Sequence, residues 1–116
     1  MRILYIAGPY RSTTEWGVEQ NIAKAEAIAL ACWRKGWAVF CPHKNTAHFG
    51  GAADDSIWLQ GDLEFLIRSD ALLAIPGWEK SEGAKREVAV AESIGIPVFT
   101  GADIPRPEEL SWPKRK

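Results

Sequence analysis

The sequence predicts an α/β fold, a three-layer sandwich in which helices flank a parallel sheet of four to five strands. Three observations carry that expectation. Four short apolar runs recur along the chain, each stopped by proline or glycine. Between them lie longer stretches with apolar residues at about 3.6-residue spacing, the period of a helix packed on one side. The runs themselves are nearly continuous rather than alternating, as in strands covered on both faces. At 116 residues the chain reads as one domain, with a core over 1–100 and a polar, Pro-rich tail over 101–116.

Ile3 to Ala7 is the first strand, ended by Gly8-Pro9. Tyr10 to Thr14 is a polar loop whose hydroxyls, Arg11 and backbone donors could hold a phosphate or sugar, or could simply be solvated. Glu19 to Lys35 predicts a helix with Ile22, Ala25, Ala29, Cys32 and Trp33 on its apolar face and Gly36 as its C-cap. Trp37 to Cys41 is the second strand, closed by Pro42. His43 to Gly51 reads as a loop holding both histidines; His43, directly after a strand, is placed for substrate contact or has no role at all.

Asp54-Asp55 introduces a helix running to about Arg68, with Trp58, Leu59, Leu63 and Leu66 expected to be buried. Leu72 to Ile75 is the central strand, stopped by Pro76-Gly77. Ser81 is a good N-cap for the next helix, whose face is marked by Ala84, Val88, Ala91 and Gly95. Ile96 to Phe99 is the last strand. Of the six tryptophans, Trp16, Trp78 and Trp112 fall in or near loops, where they could line a pocket or a subunit interface.

Composition narrows the function. A formal net charge of −1 gives no field for a nucleic-acid polymer or a membrane surface, and Lys114-Arg115-Lys116 reads as a solvated tail. No apolar stretch reaches membrane-spanning length, and the first apolar run is too short for a signal peptide. Cys32 and Cys41 have no metal spacing and read as buried thiols, so the expected compartment is the cytoplasm. Two histidines five apart with no nearby cysteine make a poor zinc signature. The dinucleotide and P-loop glycine motifs and the serine-hydrolase elbow are absent.

What remains is a pair of carboxylates. Glu87 lines up with Ala84, Ala91 and Ile94 beside an inward-facing stripe, just past a strand's carboxyl end, where open α/β sheets bind ligands. Asp62 lies four residues after Trp58 and four before Leu66 on a similar stripe, with Glu79 and Glu82 as exposed extras. Either acid could be a paired structural group. Two carboxyls facing one pocket also suit cleavage of a glycosidic bond, one attacking the anomeric carbon and the other handling the leaving group's proton.

Tyr5-Ile6-Ala7-Gly8-Pro9-Tyr10, then Asp62-Leu63-Glu64-Phe65-Leu66 with Ser69-Asp70-Ala71, then Gly77-Trp78-x-x-Ser81-x-Gly83-Ala84-x-x-Glu87, resemble the nucleoside 2-deoxyribosyltransferase superfamily. The last block is most similar to a small bacterial and phage branch, and the 2′-deoxynucleoside 5′-monophosphate N-glycosidases are close relatives. The resemblance implies a flavodoxin-like fold, a homodimer or larger assembly, and no cofactor or metal. It also implies Glu87 as a nucleophile toward C1′, Asp62 as the group that positions the sugar and protonates the base, and Tyr5 or Tyr10 as the tyrosine orienting the nucleophile. Gly8, Pro9, Tyr10, Arg11, His43, Gly77, Trp78, Ser81 and Gly83 are the expected substrate contacts. The loop after the first strand lacks the Gly/Arg pattern of the monophosphate hydrolases, and the Asn-bearing C-terminal segment of the transferases has no clear counterpart.

The expected function is cleavage of the N-glycosidic bond of a deoxynucleoside or its 5′-monophosphate, by hydrolysis or base transfer, with a small-molecule nucleoside or nucleotide as partner. The alternatives are a nucleotide-binding or regulatory module without turnover, and a flavodoxin-like electron carrier suggested by fold alone.

Overall fold

The computed structural model describes residues 1–101 and 103–110. Its strands are β1 (Ile3–Ala7), β2 (Ala38–Phe40), β3 (Ala71–Ala74) and β4 (Val98–Thr100). They form one parallel sheet in the order β2-β1-β3-β4. The helices are α1 (Glu15–Arg34), α2 (Pro42–Asn45), α3 (Asp55–Ile67) and α4 (Glu82–Ser93). Single 3₁₀ turns occupy Trp78–Lys80 and Pro107–Glu109.

The central strands β1 and β3 are buried on both sides, and their alternate residues feed two separate cores. Leu4, Ile6 and Leu73 pack with Ala25, Ala29 and Cys32 of α1 and with Trp37. Tyr5, Ala7, Leu72 and Ala74 pack on the other face with Leu66 of α3 and Ala84, Val88 and Ala91 of α4. The sandwich therefore has α1 on one side and α3 with α4 on the other, as the apolar patterns require. Asp70 fixes the sheet's starting register: its carboxylate accepts from the Ile3 backbone N–H at 2.7 Å, and its own N–H donates to the Ile3 carbonyl at 2.8 Å.

Helix boundaries follow capping. Ser81 accepts from the Ala84 N–H at 3.2 Å, as expected of an N-cap, and Asp54 does the same for α3 through Ser56. Helix α1 starts four residues before the expected Glu19, because Thr14 caps it by accepting from the Gly17 N–H at 2.9 Å. Gly17 makes this turn possible, since a Cβ there would lie 1.9 Å from the Ser12 hydroxyl. Trp16 is accordingly in the first helical turn, beside the loop, and 73% exposed. Trp33 is also exposed, so the apolar face of α1 is narrower than its spacing implied. In α3, Leu66 is buried and Leu63 is half-buried against the same core, but Leu59 is exposed and lines the cleft described below.

The Pro-rich segment departs most from expectation. Residues 103–110, within the stretch expected as a polar, Pro-rich tail, dock on the α1 face. The fully buried Trp37 indole N–H donates to the Pro105 carbonyl at 2.7 Å, and Lys35 Nζ donates to the Ile104 carbonyl at 3.0 Å. Ile104 and Leu110 pack against the same core. Trp112 and the Lys114–Lys116 run lie outside the described residues. Trp37→Phe removes the indole N–H, which leaves the buried Pro105 carbonyl without its donor, and shrinks a fully buried ring, so urea denaturation should show a loss of about 1 kcal/mol or more with the fold retained. An unchanged midpoint would mean that the docked segment contributes nothing.

Candidate active site

In a sheet ordered β2-β1-β3-β4 the chain reverses direction across the β1/β3 boundary, and loops leaving those strands splay apart to leave a crevice. A cleft of about 1050 Å³ occupies that place. The loop after β1 supplies Gly8, Pro9, Tyr10 and Arg11 to its wall, and α2 supplies His43. Asp62 comes from α3, and Gly77, Ser81, Gly83 and Glu87 come from the β3–α4 connection and α4. Elements far apart in sequence thus bring both carboxylates to one cavity.

Tyr5 lies beneath this wall. Its ring is fully buried within β1 and stacks on Phe40, which in turn stacks on Phe65 with centroids 4.1 Å apart. The Tyr5 hydroxyl donates to Oε2 of Glu87. Of the two tyrosines the sequence left open, this is the one that holds the glutamate. Tyr10 instead meets the His43 ring edge-on at 6.0 Å.

The electrostatics follow from burial. Loss of hydration pushes Glu87 up to about 7; the Tyr5 hydrogen bond opposes that rise and the nearby Asp62 charge adds to it. Burial likewise raises Asp62 to about 6. The Tyr5 hydroxyl is driven far above its ordinary value, first by burial and then by Glu87, so it remains a donor at any physiological pH. Two carboxyls that titrate near neutrality in one cleft are suited to moving protons.

His43 has a different position from the one its place in the loop suggested. Residues 42–45 are helical, and His43 is buried. Its Nε2 lies 2.9 Å from the Pro9 carbonyl, which fixes the proton on Nε2, while Nδ1 lies 3.9 Å from the Cys41 sulfur. Burial holds its pKa below the ordinary value, so the neutral imidazole braces the Gly8-Pro9 turn against α2. Arg11 is paired with Asp55 at 2.6 Å, both side chains well exposed, a contact worth under about 1 kcal/mol. Trp78 packs against the α4-side core and does not line the cleft.

The cleft also holds residues that sequence reading left out, notably Glu15 and Glu19 of α1 and Trp58 of α3. The spacing of Trp58 and Asp62 places them on one helix face, but Trp58 read as core. Cys32 and Cys41 are buried thiols, as expected, Cys32 pushed up to about 11 by burial. Among the described residues no three His, Cys, Asp or Glu side chains converge as a metal site, and no helix is long and apolar enough to cross a membrane.

Residues 2–100 match the family model described as Domain of unknown function (DUF4406), and the chain belongs to that family. Among solved structures, it is similar to a conserved protein from Enterococcus faecalis V583, with 25% identity and a TM-score of 0.61. That match covers 86% of this chain, which spans only 62% of the Enterococcus protein's length. It is also similar to the 2-deoxyribosyltransferase of the psychrotolerant bacterium Bacillus psychrosaccharolyticus, with 22% identity and a TM-score of 0.60, covering 89% of this chain and 77% of that one. The deoxyribosyltransferase-like fold expected from the motifs is therefore the fold observed. No curated protein matches the chain.

Burial of Glu87 has a cost that pH reveals. Its folded pKa of about 7 lies above the 4.5 of a free glutamate, so its share of stability is complete below about 4.5 and is lost as pH rises through 7. Glu87→Gln cannot ionise and escapes that loss. In urea titrations the variant should exceed the wild type by about 2 kcal/mol at pH 8 and by little at pH 4.5. A variant no more stable than wild type at pH 8 would contradict the burial argument.

Proposed function

We propose that this protein cleaves the N-glycosidic bond of a deoxynucleoside or its 5′-monophosphate through a covalent glycosyl-enzyme on Glu87. The observation that carries this reading is the hydrogen bond from buried Tyr5 to Glu87 at the wall of a cleft shared with Asp62. The similarity in fold to a 2-deoxyribosyltransferase supports it.

With Tyr5 donating to Oε2, Oε1 of Glu87 is the oxygen that attacks C1′ of the sugar. The C1′–N bond breaks as the C1′–O bond forms, and the electron pair leaves with the base. Protonated Asp62 gives its proton to the departing base nitrogen, which spares the base an anionic charge. A water, or a second base, then attacks C1′ from the vacated side and gives its proton to the Asp62 carboxylate, and the ester to Glu87 breaks. Both outcomes use the same groups and differ in which acceptor enters the cleft. Tyr5 steadies the carboxylate, and its stack on Phe40 and Phe65 limits its movement.

Arg11 is the cation closest in sequence to the first strand's end, and a 5′-phosphate would have to draw it from Asp55. The reading therefore includes both unphosphorylated and phosphorylated substrates, with a small advantage at most from Arg11.

Chromatography of free base released from a panel of deoxynucleosides and their 5′-monophosphates tests the proposal. Glu87→Ala should abolish release without unfolding the chain, and Asp62→Asn should slow it by about a hundredfold or more. Equal release by Glu87→Ala would remove the nucleophile assignment, and no release from any substrate would favour a binding module. The pH profile gives a second check. Turnover needs Glu87 ionised and Asp62 protonated, which is the minor one-proton form of a pair that titrates as a unit between about 6 and 7, because burial raises Glu87 further than Asp62. The profile of kcat/KM should be a narrow bell with its maximum between those values. A flat profile from pH 5 to 8 would rule out this division of roles.

A further inference from the structure

Trp58 lines the cleft from α3, one helical turn before Asp62 and on the same helix face. Its indole Nε1–H is buried and has no hydrogen-bond partner among the described residues. A buried donor left unmade costs about 1–3 kcal/mol, so a native structure that keeps one has a reason to do so. Phe49 lies against the indole with ring centroids 5.5 Å apart, which steadies the ring plane. Phe49 is itself about half exposed, so it is the neighbour with room to give way. Every other polar group on this wall of α3 has a place in the account: Asp55 pairs with Arg11, and Asp62 handles the proton.

We propose that Trp58 is a specificity-determining residue that donates its indole N–H to an acceptor atom of the nucleobase, a carbonyl oxygen or an unprotonated ring nitrogen. This rests on the reading of the cleft as a nucleoside site. Asp62 protonates the base at the nitrogen that leaves the sugar, so the base lies against α3, and the side chains one turn back that line the cleft are Leu59 and Trp58, of which only Trp58 carries a donor. The contact forms where water is excluded, which makes the hydrogen bond stronger than its counterpart in solution. A base that lacks the acceptor leaves the N–H without a partner and forfeits that bond.

Two measurements on the full chain test this. The first is the kcat/KM of wild type and Trp58→Phe across natural deoxynucleosides and analogues that lack one acceptor each, such as 7-deazapurines. Trp58→Phe should lose about tenfold on the preferred base, and one analogue should be processed equally by both proteins. Its midpoint in urea should equal or exceed that of the wild type, because an unmet donor has been removed. Variant rates within twofold of wild type on every base would overturn the proposal.

The second is the ¹⁵N–¹H indole resonance of Trp58, assigned by its absence from Trp58→Phe and followed as deoxynucleosides are added to Glu87→Ala. A downfield shift on saturation supports the contact even if the protein never cleaves its ligand, which separates this inference from the catalytic one. Saturation without any shift of that resonance, or no response to any nucleoside, would overturn it.

Discussion

The Tyr5 hydroxyl is the polar group around which this fold is arranged. β1 is the second strand of four and is covered on both faces, so its inward side chains must be apolar or must find partners. Tyr5 brings a hydroxyl into that setting, and only a group delivered by another element can satisfy it. Glu87, from the second turn of α4, is that group. The exchange works in both directions, because the carboxylate gains a donor that partly offsets its desolvation. Moving α4 relative to β1 would leave two buried polar groups unpaired. A hydrogen bond that looks local therefore fixes the relation between the central strand and the helix beyond the switch point.

The wall of the cleft is built by the same economy. His43 spends its Nε2 proton on the Pro9 carbonyl and so holds the turn after β1 in place. Ser81 caps α4 and sets the helical phase that aims Glu87 at the cleft while Ala84, Val88 and Ala91 face the core. Asp54 caps α3 and sets the phase that brings Trp58 and Asp62 to the cavity. Each chemical group is held by a backbone element whose start is fixed by an ordinary capping interaction.

Much of this was legible in the sequence, for identifiable reasons. Strand runs such as Ile3–Ala7 and the α4 spacing of Ala84, Val88 and Ala91 report burial directly, and Ser81 is a strong local signal. Glu87 and Asp62 stood out because carboxylates beside apolar stripes need an explanation. The choice between Tyr5 and Tyr10 could not be made, since side-chain period places Tyr5 inside but says nothing about which residue meets its hydroxyl. The early start of α1 was hidden by Gly17, a helix-weakening residue that is there to admit the Ser12 side chain. The docking of residues 103–110 was hidden because its anchor, the Trp37 indole, meets a backbone carbonyl that no residue type announces. A tryptophan at helical spacing reads as core whether or not its N–H has a partner, so the sequence carries no sign that Trp58 lines the cleft.

The central claim is that Glu87 forms a bond to the sugar, and trapping that bond tests it most directly. A reaction with a deoxynucleoside is quenched in acid during turnover, digested and analysed by mass spectrometry. The account predicts one deoxyribosyl unit on the peptide that carries Glu87, and none in Glu87→Ala. Base release with no adduct on that peptide, or an adduct on another residue, would contradict it.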